Sequence, residues 1–270
     1  MKIALVNLCK TEDFTKFKYY QESIDFLNEE NIDYLDFVSG ADTIDLMVKK
    51  FNDALTSKAD LLWFVCGGLT CIQTLDKIDW VKVVSSKKKF YGLSDFTHFS
   101  TMAIAKGLTC YYGQGLSRIK QYFPDKKDRE FIVKLLRIGV PVLEKAKSLF
   151  LSSSDLDVSK EQIVGGHLTI FTFMQNQLKI NLADRYLFIE YHNSAIGEGL
   201  NEIGYFMDQM LYILKNNFPK GFILGRTELK NIDNSIINIG EINKYLVEKL
   251  SRYNLPVFYL DHYKNTVTFR

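Results

Sequence analysis

Three residue types that together can hydrolyse an amide stand at the ends of apolar runs in this chain: a hydroxyl at Ser94, a carboxylate at Glu190 and an imidazole at His262. Ser94 lies in KFYGLSDFTHF, residues 89–99, where a β-type run stops at Gly92 and a helix begins. A serine at a strand-to-helix turn keeps its hydroxyl outside the helical ladder and beside the free N–H groups of the helix N-terminus, a geometry suited to acyl transfer. The same Ser-Asp pair is also an ordinary helix start, with Ser94 as N-cap and no chemistry. Glu190 closes the run Tyr186–Ile189 and His262 follows Val257–Leu260. As a carboxylate that orients an imidazole base they complete a nucleophilic triad; singly they are a strand-end ion-pairing residue and a loop histidine. His98 competes for the role of base, because it follows Ser94 by four residues on the expected helix, with Cβ atoms about 5 to 6 Å apart. It has no evident carboxylate to orient it. His192 shares a face with Glu190 if the strand continues, as a substrate contact or a charged neighbour. Cys66, before Gly67-Gly68, is a second conceivable nucleophile, whose plain reading is an inert buried thiol. The glycines of CGGLT make either a tight turn or backbone that closely approaches a ligand.

The elements that must position these groups follow from periodicity. Lys2–Val6 reads as a first buried strand, followed by a helix with Phe17, Tyr20, Ile24 and Leu27 on one face. A strand near Tyr34–Val38 leads through a Ser39-Gly40 turn, with Asp42 or Thr43 as cap, to a helix whose Ile44, Met47, Val48, Phe51 and Leu55 repeat at three and four. The unbroken run Leu61–Val65 suits a parallel strand covered on both faces. With strands before Ser94 and at Leu108–Tyr112, the alternation is β-α-β, and the ligand crevice of such a sheet lies beyond the carboxyl ends of its strands, where Gly67-Gly68 and Ser94 should meet. Between Gln114 and Lys160 the pattern loosens into a charged stretch, a helix-like segment Val142–Leu149 and the polar run Ser152–Asp157, which marks a domain junction. The second half opens with Gly165-Gly166 and an apolar-rich segment, His167 to Phe173. After the strand that ends at Glu190, Gly197–Gly199 leads into a helix striped by Leu200, Ile203, Met207, Leu211 and Leu214. Strand Phe222–Leu224, helix Ile242–Leu250 and the closing strand Val257–Leu260 follow.

The composition excludes several classes. A chain of 270 residues, 47% hydrophobic and 24% charged, can bury one large or two ordinary cores. Its 34 basic and 32 acidic residues give a formal charge of +2, too small a field to imply nucleic acid. The N-terminal apolar run Ile3–Val6 is short for a signal peptide, which uses roughly 7 to 15 residues, and nothing approaches the ~18 of a membrane span. A cytoplasmic protein with no membrane partner is expected, with Cys9, Cys66, Cys71 and Cys110 as free thiols. Without paired His or Cys at zinc-site spacing, a P-loop or a dinucleotide fingerprint, neither metal nor cofactor is expected.

The succession LLWFVCGGLTCIQTLDKIDW, KKFYGLSDFTHF, GLTCYYGQG, VGGHLTIFTF, YLFIEYHN and PVFYLDHYKNTVTF resembles the serine peptidases that comprise the LD-carboxypeptidases and the microcin C immunity peptidases. The resemblance runs from about Asp60 onward. Its most specific parts are Ser94-Asp95-x-Thr97, Gly165-Gly166-x-Leu168-Thr169 and Leu187-Phe188-x-Glu190. It implies that Ser94 is the nucleophile, that Glu190 orients the base, that His262 is the base, and that backbone N–H groups of Asp95 and of the Gly68-Leu69 turn form an oxyanion hole. It further implies a homodimer. The chain departs from the family pattern in two places. Asn7-Leu8-Cys9-Lys10 stands where a Pro-Ser-Ser type turn is usual, and Asp261 rather than glycine precedes His262, without the proline-glycine ending.

The expected architecture is therefore α/β: an N-terminal flavodoxin/Rossmann-like parallel-sheet domain, residues 1–150, that carries the nucleophile, and a smaller C-terminal α/β domain, residues 160–270, that carries Glu190 and His262, with the active site at their interface. The expected activity is hydrolysis of the L,D bond of peptidoglycan-derived tetrapeptides. The alternatives are an aminoacyl-nucleotide antibiotic of the microcin C type as substrate, for which Trp63 and Trp80 look structural rather than an aromatic platform, and a catalytically inactive relative that binds muropeptides or a partner.

Overall fold

In the computed structural model, which describes residues 1–38, 43–138, 145–149, 154–192, 198–231 and 233–270, strands and helices alternate from the start. They run β1 (Ile3–Val6), α1 (Lys18–Glu29), β2 (Tyr34–Asp36), α2 (Ile44–Thr56), β3 (Leu61–Phe64), α3 (Cys71–Thr74), α4 (Trp80–Ser85), β4 (Lys89–Gly92), α5 (Phe96–Ala105), β5 (Cys110–Tyr112), α6 (Ile119–Tyr122) and α7 (Glu130–Ile138). The second half continues with β6 (Lys147–Ser148), β7 (Ile163–His167), α8 (Leu168–Leu178), β8 (Tyr186–Glu190), α9 (Leu200–Leu214), β9 (Gly221–Leu224), α10 (Ile239–Ser251), β10 (Val257–Tyr259) and β11 (Val267–Phe269). The chain divides into two compact units, Met1–Val142 with Lys264–Thr268, and Leu143–Tyr263 with Phe269–Arg270.

The sheet of the first unit has the order β11-β5-β4-β3-β1-β2, with parallel pairing from β2 through β5. The order 2-1-3-4-5 is that of flavodoxin-like domains, and its crevice opens where the order reverses, between β1 and β3. The residues after those two strands, Asn7–Lys10 and Val65–Gly68, therefore form its floor. β1 and β3 are buried along their whole length, as their unbroken apolar runs require. Phe51 of α2 packs on Phe64, Phe90 and Phe99, Trp63 is fully buried in the core, and the half-buried Trp80 stacks on Phe99 with its indole N–H on the Leu75 carbonyl. On α1 the buried stripe is Tyr20, Ser23, Phe26 and Leu27, while Phe17 is exposed, a shift from the expected face. Thr43 caps α2, its hydroxyl accepting from the Leu46 N–H. The expected turn Ser39-Gly40 with Asp42, the first residues of the expected helix at Val142, and Ser152 and Gly197 lie outside the described residues.

The second unit has a five-stranded sheet of order β6-β10-β9-β8-β7, parallel except for β6 against β10. Where a helix was expected through Val142–Leu149, Lys147 and Ser148 pair with Tyr259 and Phe258 as an edge strand. Gly165 and Gly166 have φ of +144° and +136°, and a Cβ on Gly165 would stand 1.8 Å from the Phe188 carbonyl oxygen. Only glycine permits so close an approach of β8. β11 was not foreseen: the chain continues past His262 and ends as a strand beside β5. Its three residues are too few to show a period. Among the described residues no helix is long and apolar enough to cross a membrane.

Candidate active site

In the first unit, Ser94 falls between β4 and α5 with φ of +59°, in the left-handed region. A non-glycine residue there costs of order 1–2 kcal/mol and persists only where its surroundings fix it. They do so here. Its N–H donates to the Tyr112 hydroxyl at 2.8 Å, its carbonyl accepts from the Thr97 N–H at 2.8 Å, and its side chain faces Gly67, where an added Cβ would come within 2.8 Å of Ser94 Cβ and 3.1 Å of Oγ. The plain reading of Ser94 as N-cap is thereby corrected. The capping position belongs to Asp95, and Ser94 sits on a sharp turn just ahead of the helix.

Asp95 is buried and explains the Ser-Asp pair. One carboxylate oxygen accepts from the Cys71 N–H at 2.9 Å, and the other lies 2.9 Å from Nδ1 of His98. His98 is therefore tied to a carboxylate after all, and sequence reasoning overlooked the pair because it lies at i and i+3 within the motif itself. The turn after β3 is shaped by Cys9, whose carbonyl accepts from the N–H groups of Leu69 and Thr70 at 2.9 and 3.2 Å. A Cβ on Gly68 would stand 1.7 Å from that oxygen. Leu69 has thus already given its N–H to Cys9. Among the described residues the N–H groups of Gly68 and Asp95 have no acceptor, so two of the three expected oxyanion donors remain open. Asn7 holds the preceding loop in the place of the Pro-Ser-Ser type turn, its Oδ1 accepting from the N–H groups of Cys9 and Lys10. Burial pushes the Cys66 thiol up to about 12, which leaves it a poor nucleophile.

In the second unit, β8 delivers Glu190, fully buried, into a group of imidazoles. Oε2 of Glu190 lies 2.8 Å from Nε2 of His192, which also meets the Tyr263 hydroxyl at 2.9 Å. Burial alone would raise the Glu190 pKa, but His192, followed by His167 and His262, outweighs it and holds the carboxyl well below the usual range. Burial works against the His192 cation too, and Glu190 overcomes it, so His192 is raised. His262 is completely buried, edge-on to Phe188 and Tyr263, and its Nδ1 accepts from the Arg226 N–H at 3.1 Å. That bond leaves the proton of the neutral ring on Nε2, and burial pushes its pKa down to about 3. Gly225 lets the ring in, since a Cβ there would stand 2.9 Å from His262 Nδ1 and 3.0 Å from Glu190 Cβ. Gly225 and Arg226 were not singled out from sequence; the Gly-Arg that ends the run Phe222–Leu224 was their only signal.

One ligand atom each of Glu190, His192 and His262 lies within 4.8 Å of the others, a grouping that could hold a metal ion. Two neighbouring ligands of a tetrahedral zinc ion, each about 2.0–2.1 Å from the metal, stand roughly 3.3 Å apart. The Glu190–His192 contact of 2.8 Å is shorter than that spacing and is the contact of an ion pair. Ser94 belongs to the first unit, and Glu190 and His262, which the fold brings together, belong to the second.

Residues 4–113, which hold the whole Ser94 cluster, match a known family model. It is that of the LD-carboxypeptidase N-terminal domain. This is the family that the sequence motifs resemble. Among curated proteins none matches this sequence. Among solved structures, the microcin C7 self-immunity protein MccF in complex with aspartyl sulfamoyl adenosine is similar over 99% of this chain and 90% of its own, with TM-score 0.77 and 17% identity. A muramoyltetrapeptide carboxypeptidase from Oxalobacter formigenes is similar over 100% and 92%, with TM-score 0.73 and 19% identity. An MccF-like protein from Bacillus anthracis follows at TM-score 0.72 and 17% identity, over 99% and 90%. These likenesses establish the mixed α/β fold with its two largely parallel sheets.

Proposed function

We propose that this protein is a serine carboxypeptidase-type amide hydrolase that cleaves the L,D bond of peptidoglycan-derived tetrapeptides. The observation that carries the reading is the left-handed backbone of Ser94 at the junction of β4 and α5, with Gly67 against its side chain and the N–H groups of Gly68 and Asp95 unspent. The match of residues 4–113 to the LD-carboxypeptidase N-terminal domain supports it. Ser94 Oγ attacks the amide carbonyl and its proton passes to the base. The oxyanion is held by the two N–H groups, the base returns the proton to the departing amine, and water releases the acyl group by the same steps in reverse order. His262 is the base and Glu190 the carboxylate that orients it, by resemblance. The enzyme works in the cytoplasm as a homodimer, a state that sedimentation equilibrium checks.

A specific finding keeps a second substrate in view, since MccF binds aspartyl sulfamoyl adenosine. The purified protein incubated separately with an L,D-terminated tetrapeptide and an aspartyl-adenylate analogue, read by mass spectrometry, decides between them. Loss of the terminal residue from the tetrapeptide, absent in Ser94→Ala, is expected. Cleavage of the nucleotide alone moves the substrate to the microcin type, and binding of the tetrapeptide without cleavage makes the protein an inactive binding relative.

A further inference from the structure

The Ser94 turn is fastened from outside its own strand and helix. Tyr112 closes β5 opposite Gly92, the last residue of β4, and the Gly113 N–H donates to the Gly92 carbonyl at 3.1 Å, so the Tyr112 backbone is fixed against the strand that leads to Ser94. The Tyr112 ring is completely buried, its centroid 6.4 Å from that of Phe96, and Phe96 in turn fits against Gly92, where a Cβ would strike its ring. A side chain held at both ends keeps its hydroxyl in one place at no further cost in rotamer freedom. That hydroxyl accepts the Ser94 N–H at 2.8 Å, with Thr97 Oγ1 3.4 Å away.

Ser94 stands after the last residue of β4 and before the first of α5, so neither element takes its N–H. A part-buried N–H without an acceptor and a left-handed serine carry costs of the same order, so the turn would relax if nothing opposed it. Relaxing φ to the ordinary negative region, with strand and helix held in place, turns the Leu93–Ser94 peptide over and its N–H away from the Tyr112 hydroxyl. The bond therefore favours the left-handed state over the relaxed one. It also removes the Ser94 N–H from the donors that an oxyanion could meet, which leaves those of Gly68 and Asp95. We propose that Tyr112 is a positioning residue of the nucleophile, its hydroxyl pinning the Leu93–Ser94 peptide in the orientation that seats the Ser94 side chain on Gly67. As a statement about turnover this rests on the hydrolase reading; as a statement about the turn it stands by itself.

The test is Tyr112→Phe in the full chain, which removes one oxygen and keeps the ring against Phe96. With the L,D-terminated tetrapeptide, kcat is expected to fall about 100-fold and KM to stay within about twofold of wild type, because the reacting hydroxyl is displaced and the contacts that hold the peptide are not. Thermal melts of the same change made in Ser94→Gly supply a readout that a merely structural bond does not move. A serine relaxes once the hydroxyl is gone and recovers part of the lost stability, whereas a glycine has no strain to release, so the loss of Tm should be larger in Ser94→Gly than in the wild type. Wild-type kcat in Tyr112→Phe overturns the proposal and leaves the hydrolase. Equal losses of Tm in the two backgrounds, or a Tyr112→Phe that does not fold, make the hydroxyl an ordinary structural partner and overturn the proposal as well. A wild-type protein that cleaves no tetrapeptide sinks the hydrolase instead, and the melts then decide by themselves whether Tyr112 holds the turn.

Discussion

Gly67 and Ser94 touch backbone to side chain, so closely that a Cβ on the glycine would stand 2.8 Å from that of the serine. The atom it would strike is bonded directly to the Ser94 backbone, not to the end of a flexible side chain, so the turn itself has to move. Gly67→Ala is therefore expected to lower turnover by about 100-fold, the scale of a misplacement of order 1 Å in a reacting group, with KM little changed. An alanine variant as active as the wild type would show that Ser94 does not need this seat.

The backbone of Ser94 makes a second prediction that separates chemistry from folding. Ser94→Ala should lose roughly 10³-fold or more in turnover at nearly unchanged stability. Ser94→Gly should be equally inactive, yet no less stable than Ser94→Ala and up to about 1 kcal/mol more so, because glycine occupies φ of +59° without strain. Thermal melts of the two variants side by side give the answer. A glycine variant clearly less stable than the alanine one would mean that the site stores no strain.

The first unit was legible in sequence because its strands are buried on both faces and read as unbroken apolar runs, as Leu61–Val65 does, and because its helices repeat at three and four. Ser94 was legible for a local reason, the break from β-type run to glycine to Ser-Asp. What stayed hidden depends on contacts distant in sequence. The seating of His262 on the Arg226 N–H joins residues 36 apart, whereas Glu190 and His192, two residues apart, were readable as neighbours on one face. β11 escaped because a three-residue strand carries no periodicity. Phe17 was assigned to the wrong face because α1 begins at Lys18, one residue later than its apolar pattern suggests.

Acid should weaken the fold through His262. Its folded pKa of about 3 lies below the unfolded value near 6.5, so the unfolded chain binds more protons between those limits and stability falls as pH falls through that window. From pH 6.5 to 5 the loss is about 2 kcal/mol. His192 is shifted the other way, and its contribution is fully present below about 6.5, so it adds little slope there; Glu190, held low, loses its contribution only below about 4.5. Denaturant midpoints measured at pH 6.5 and 5 should differ in the wild type and converge in His262→Gln. A slope that survives in the variant assigns it elsewhere.

Activity should survive exhaustive chelation. The Glu190–His192 separation of 2.8 Å fits an ion pair better than two ligands of a common metal ion. Activity lost with a chelator and restored by zinc would instead make Glu190, His192 and His262 ligands.

The last prediction ranks the histidines. His98 gives Nδ1 to the buried Asp95, so His98→Ala leaves that carboxylate with the Cys71 N–H as its remaining hydrogen bond among the described residues and should cost about 1–3 kcal/mol of stability. It should retain a substantial fraction of turnover, because Ser94 and both open N–H groups stay in place. His262→Ala should abolish hydrolysis, as the resemblance implies. His192 is the rival, since it is the imidazole paired with Glu190 and it opens on a cavity. The two differ in what the pH profile shows. A base with a pKa near 3 stays neutral through the working range, so the acid limb of kcat/KM should lie below about pH 5. For Nδ1 of His262 to take the serine proton, the Arg226 N–H must leave it, and Arg226→Pro, which removes that donor, should raise the His262 pKa and move the acid limb upward. An acid limb near 7, with His192→Ala inactive and His262→Ala active, would transfer the base to His192. Full activity in all three alanine variants would refute the triad.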